Sequence, residues 1–153
     1  MSTNVSTSVN TSLSASVPAR QVSASAAHAA VAAAVAHAQQ LGVLVNVAIV
    51  DGGGTLAAFL RMPGAFLHSV DIAMDKAYTA ASFGFATAQW KAVFGDDDML
   101  KIALSQRPRL VVIAGGLPIR DGESLIGGIG VSGASAEQDE ACAAAGLRAI
   151  GLA

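Results

Sequence analysis

GGLPIRDGESLIGGIGVSGASAEQDEACAAAG, residues 115–146, holds two apolar runs joined by a turn and followed directly by an alanine-rich segment. Asp121-Gly122 lies between the runs, where a tight hairpin needs a residue that accepts positive φ, and glycine does so without a Cβ clash. Residues 111–119 and 124–131 are therefore predicted to pair. Ser132-Gly133-Ala134-Ser135 then leads into Ala136, and Ser135 with Gln138 three positions on matches a capping box at a helix start. A helix N-terminus opened by small residues exposes backbone N–H donors and carries partial positive charge, which suits a carboxylate or phosphate. A capped helix with no ligand accounts for the same residues.

A second segment of this kind lies upstream, where VLVNVAIV at 43–50 runs into Asp51-Gly52-Gly53-Gly54 and then TLAAFLRM. It is predicted to be another hairpin. Both hairpins are continuously apolar rather than strictly alternating, so the sheet they build should be covered on both faces by helices or by a partner subunit. The helices are predicted at 22–41, stopped by Gly42, at 65–83, and in one or two pieces over 87–106 with Gly95-Asp96-Asp97-Asp98 as the break. Those three adjacent aspartates lack the alternating spacing of a calcium loop, and an acidic helix start explains them, so no intrinsic metal site is expected.

The full chain of 153 residues is long enough for one domain with a real core. Hydrophobic residues make up 53% and charged residues 13%, too little charge to cover every face of a monomer, so a homo-oligomer with an apolar interface is expected. The net charge of −2 without a Lys/Arg cluster argues against nucleic acid as a partner. No long uncharged apolar run suggests a membrane span. Residues 1–20 lack the basic and apolar regions of a secretory signal, from which a cytoplasmic location follows as an expectation. This Ser/Thr-rich arm carries Val5, Val9, Leu13 and Val17 at every fourth position, and it is expected to lie across a neighbouring subunit, with residues 21–153 forming the domain. The single cysteine, Cys142, excludes a disulfide framework and reads as a small buried thiol.

The set formed by NVAIVDGGGTLAAFLRMPGA at 46–65, Asp75-Lys76-Ala77-Tyr78-Thr79-Ala80, GGLPIRDGESLIGGIGVSG at 115–133 and Gln138-Asp139-Glu140 resembles the GlcG/HbpS-like family. That family includes the C-terminal domain of PduO-type corrinoid adenosyltransferases. The resemblance covers residues 24–150. It implies an α/β domain of the α+β type, with a central, largely antiparallel sheet flanked by helices in profilin-like layers, assembled into a dimer or larger ring. It also implies a ligand, haem being the possible cofactor because several relatives are described as haem-binding. Pro63 stands where the family commonly has an acidic residue after Arg-Met, and the polar N-terminal arm lies outside the shared pattern.

Candidate ligand contacts follow from these segments. His28 falls near Val31 and Val35 at 100° per residue and is expected on the inner face of the first helix, with His37 opposite. The resemblance makes His28 a possible haem iron ligand. On the second helix, Phe66, Val70, Ala73 and Ala77 form an apolar stripe, and His68, Asp71, Asp75, Lys76 and Thr79 a polar one. Arg61 ends the preceding strand, so Arg61 and Lys76 could hold one carboxylate or propionate together. Arg120, Ser132, Gly133 and Ser135 complete the ligand-binding candidates near the Gly-rich loops.

Two function classes fit. The first is a small-molecule-binding protein that holds haem, or an anionic metabolite, in a pocket near those loops. The second is a small catabolic-pathway enzyme acting on a short carboxylic acid by proton transfer or hydrolysis, with His68, Glu123, Asp139 or Glu140 as acid or base beside Arg61, Lys76 or Arg120. Ser132 lacks the spacing of a hydrolase nucleophile elbow.

Overall fold

The computed structural model describes residues 12–152. Helix α1 (Ala24–Leu41) is followed by strands β1 (Asn46–Asp51) and β2 (Leu56–Arg61), then helix α2 (Ser69–Phe83). A 3-10 turn (Thr87–Gln89), α3 (Trp90–Phe94) and α4 (Asp98–Ser105) lead to β3 (Gly116–Asp121), β4 (Ser124–Ser132) and the last helix, α5 (Ala136–Ala149). The sheet has the order β2-β1-β4-β3 and is antiparallel at every pair. Two hairpins thus lie side by side, joined through Asn46↔Ser132 to Asp51↔Gly127.

Strand alternation divides β1 between two helical layers. Val45, Val47 and Ile49, with Ile129 and Val131, pack under α1 and α5 against Ala27, Ala30, Ala34 and Cys142. Burying side chains such as Ile49 and Ile129 contributes about 1.5–3 kcal/mol each. Ala48 and Val50 turn to the other face and meet Ala73, Ala77 and Ala81 of α2. The two central strands, β1 and β4, are therefore covered on both faces, which is why they read as continuous apolar runs, whereas edge strand β2 stays largely exposed.

The glycines of β4 set how closely α2 lies. A Cβ at Gly128 would collide with the Ala77 carbonyl oxygen, and one at Gly130 with that of Ala73. Alanines on the helix and glycines on the strand let backbone approach backbone.

The turns form where local chemistry demands them. Gly122, at φ 62°, takes the first position of the two-residue connection between β3 and β4. Asp51 Oδ1 accepts the Gly53 and Thr55 amides at 2.9 and 3.0 Å and folds the first hairpin. Gly42 closes α1 in the left-handed region, its N–H reaching back to Ala38 and Gln39. Asp97 caps α4 by accepting the Leu100 amide at 2.9 Å.

Two predicted boundaries move. Residues 111–115 are not strand, because the Val111 amide donates to Thr79 Oγ1 at 3.1 Å and not to a neighbouring strand. Residues 65–68 are not helix: Pro63-Gly64, with Gly64 at φ 88°, starts successive turns in which Ser69 bonds to Phe66 and Val70 to Leu67. Phe66 consequently leaves the proposed apolar stripe and stands 68% exposed.

The chain enters the domain through three contacts. Arg20 pairs with Asp121, Gln21 Oε1 accepts the Gly52 amide at 2.7 Å, and the Val22 amide donates to Ile126 at 3.0 Å. Of the four apolar residues in the arm, Leu13 and Val17 are exposed, while Val5 and Val9 lie outside the described residues. Among the described residues, no helix is long and apolar enough to cross a membrane.

Candidate functional site

Strand β4 ends in Ser132, and the chain turns at Gly133, φ 147°, into the capped start of α5. Gly133 passes so close to Leu44 and Val45 that a Cβ could not be accommodated. Ser135 Oγ accepts the Gln138 amide and Gln138 Oε1 accepts the Ser135 amide, both at 3.2 Å, so the predicted capping box is present. Asp139 points inward from the first turn. Its Oδ1 accepts the Ala134 amide at 3.0 Å and its Oδ2 meets Lys76 Nζ at 2.9 Å. Lys76 also donates to the Val131 carbonyl at 2.8 Å, which ties α2, β4 and α5 together at one point.

Burial governs both ions. Loss of water pushes the Lys76 ammonium below its ordinary value and the Asp139 carboxyl above its own, despite the hydrogen bond between them. Burial likewise lifts the Cys142 thiol to about 11, with the Asp139 charge adding to the shift. Cys142 is an inert core residue.

A groove of about 250 Å³ runs beside this junction, lined by Val43, Leu44, Gly64, Phe66, Gly133, Ala134 and Gln138. Beneath Phe66 lies Asn46, fully buried, whose Nδ2 donates to the Phe66 carbonyl at 3.2 Å. Ser132 is buried opposite Asn46 across the β1–β4 pair. Ser132, Gly133 and Ser135 are thus gathered at one end of the sheet, as the sequence predicts.

Other candidates sit elsewhere. Lys76 and Thr79 are buried, so the expected polar stripe of α2 is not a solvent face. Thr79 Oγ1 is taken up by the Arg109 carbonyl at 2.9 Å and the Val111 amide. Arg61 donates to the Ala65 carbonyl at 2.6 Å on the exposed end of β2, whereas Lys76 is enclosed beside Asp139. The pairing of Arg61 with Lys76 around one anion is corrected accordingly. Arg120 and Glu123 stand at the opposite end of the sheet, Arg120 donating to the Gly84 carbonyl at 3.0 Å. His68 precedes α2, exposed, and makes no capping hydrogen bond. Glu140 is half-buried near the Lys76 charge.

His28 is exposed, not on the inner face, and His37 is the half-buried one. The reason is that α1 buries Ala27, Ala30, Val31, Ala34 and Ala38, an alanine stripe centred about 100° from His28. Val31 lies within that stripe and Val35 packs at its margin, while His28 falls about 60° beyond Val31, outside the buried arc.

One feature escaped the sequence reading. Between α2 and residues 104–110 lies a cleft of about 230 Å³ with Arg107 and Arg109 on its wall. The signal available was Arg107-Pro108-Arg109, two cations held apart by a rigid residue in a chain poor in charge.

Comparison with known proteins places the whole domain. A family model described as haem degrading protein HbpS-like matches residues 22–148. A 15.0 kDa protein from the dhaT-dhaS intergenic region of Citrobacter freundii is 36% identical over 111 residues, covering 72% of this chain and 78% of that protein. The corrinoid adenosyltransferase PduO of Salmonella typhimurium is 41% identical over 117 residues, 75% of this chain but 34% of PduO. The chain therefore spans about a third of that relative's length. The crystal structure of a PduOC–haem complex superposes with a TM-score of 0.80 at 36% identity, covering 87% of this chain and 97% of that one. With the matched region reaching from the strand-anchored Val22 to the last turn of α5, the chain belongs to the HbpS-like family.

Proposed function

We propose that this protein is a small-molecule-binding protein whose ligand is haem or an anionic metabolite of comparable shape. The observation that carries the proposal is the likeness to a domain crystallised with haem, which extends over nearly all of that domain.

His28 is the residue on which such a group would be held. A haem ring is flat and largely apolar, so its site needs an iron ligand and room for the ring beside it. On the outer face of α1, His28 is flanked one turn away on either side by Ala24 and Ala32, both small and exposed. Neutral imidazole is a suitable iron ligand, and the bound iron would supply the redox chemistry. His28 would hold the metal, and the alanines would admit the ring.

Assembly into a homo-oligomer belongs to the same proposal. Phe66, Leu67, Met99 and Ile102 are each more than half exposed in the single chain, and a second copy would cover such a surface. The short-acid enzyme has less support: Asp139 is engaged by Lys76, and Glu123 stands at a hairpin tip.

Titration with haemin tests the proposal. A saturable Soret band at fixed stoichiometry, lost in His28→Ala while the fold persists by circular dichroism, is expected. Haem binding unchanged in His28→Ala would remove His28 as the ligand, and absence of any saturable band would remove haem.

A further inference from the structure

The cleft between α2 and residues 104–110 shares no residue with the α1 face. Its centre is Arg109, whose φ of 65° makes it the one non-glycine residue with positive φ among the described residues. Such a conformation persists only where neighbours hold it. Here Thr79 Oγ1 donates to the Arg109 carbonyl at 2.9 Å, and the same oxygen accepts the Val111 amide. The Arg109 side chain, 44% exposed, has two contacts of its own. Its guanidinium carbon lies 3.7 Å from the centroid of Tyr78, and its Nε donates to Asp75 at 2.9 Å. Tyr78 in turn packs closely on Gly54, where an added Cβ would fall 2.6 Å from its ring.

This arrangement leaves donors without acceptors. Asp75 takes only the Nε hydrogen of Arg109, and neither Nη atom bonds to protein among the described residues. Arg107, exposed on the same wall, makes no side-chain hydrogen bond among them either. Two guanidiniums against one carboxylate leave a net positive charge, and Phe83, Leu104, Pro108 and Leu110 supply an apolar wall. A fixed guanidinium fork beside apolar surface recognises a planar anion on a hydrophobic body.

We propose that this cleft is a binding site for a small organic acid, with Arg107 and Arg109 holding a carboxylate or phosphate and the apolar wall holding the rest of the molecule. The site is separate from the haem reading and does not depend on it. A haem propionate offers the same group, so the test includes haemin as well as free acids.

Calorimetric titration of the full chain with benzoate, phenyl phosphate and neutral benzyl alcohol is the experiment. Saturable one-to-one binding of at least one anion is expected, with benzyl alcohol at least about tenfold weaker, as loss of a charged hydrogen-bonded pair implies. Arg107→Ala should weaken the anion about tenfold while leaving the urea midpoint and the haemin titration unchanged. Failure of both anions, equal affinity for benzyl alcohol, or wild-type affinity in Arg107→Ala would each overturn the proposal. Loss of haemin binding in Arg107→Ala would assign the cleft to haem and remove the separate site. A missing Soret band in the wild type, with benzoate still bound, would instead sink only the haem reading.

Discussion

Lys76 and Asp139, 63 positions apart in sequence, form an ion pair of 2.9 Å in the interior, with side-chain exposures of 1% and 4%. Both are shifted toward their neutral forms, because desolvation outweighs their attraction. The pair joins α2 to the first turn of α5 beside the end of β4.

Removing one partner should therefore be far worse than removing both. Lys76→Met or Asp139→Leu alone strands a buried charge, and about 3–5 kcal/mol of unfolding free energy should be lost. The Lys76→Met/Asp139→Leu double variant should recover most of that loss. Urea unfolding of the four proteins measures the coupling, and additive losses in the double variant would refute it.

Gly130 and Gly122 separate two uses of glycine. Gly130→Ala places a methyl group against the Ala73 carbonyl, where only backbone movement gives relief, and should cost about 3 kcal/mol, the upper end of overpacking. Gly122 faces open space, so Gly122→Ala meets only the left-handed strain of its φ of 62°, about 1–2 kcal/mol. Thermal melts of the two variants should rank in that order.

Sequence carried what is local. The Gly122 turn, the Ser135–Gln138 box, the Gly42 stop and the acidic helix start at 96–98 each depend on residues within a few positions, and each is found. The two antiparallel hairpins under helices follow from the same apolar runs and match the family resemblance. The candidate site was less legible because its contacts are long-range. Nothing near Lys76 announces Asp139, and nothing near Gly128 and Gly130 says that they seat a helix and not a ligand. An alanine helix has almost no amphipathic stripe, so the rotational setting of His28 was undetermined until α5 packed beside it. Arg109 adopts a conformation that favours glycine, which composition does not foretell.

Cys142 should be unreactive in the folded protein. With its thiol at about 11, roughly one molecule in a thousand carries the thiolate at pH 8, and the sulfur lies in a fully buried residue. Labelling by a thiol-specific disulfide reagent should be complete within minutes in denaturant and should otherwise proceed only through unfolding. Fast labelling without denaturant would show that α5 opens locally.

The N-terminal arm offers the last test. Among the described residues it is attached through Arg20, Gln21 and Val22, and deletion of residues 2–18 leaves these three contacts in place. The exposed Arg20–Asp121 pair contributes at most about 1 kcal/mol. Leu13 and Val17 are 99% and 84% exposed in the single chain, an arrangement that favours burial against a second copy. The deletion is therefore expected to keep the native circular dichroism spectrum while lowering the mass measured by light scattering or making it more dependent on concentration. An identical mass across a hundredfold dilution, with an unchanged melting point, would mean that the arm does not hold subunits together.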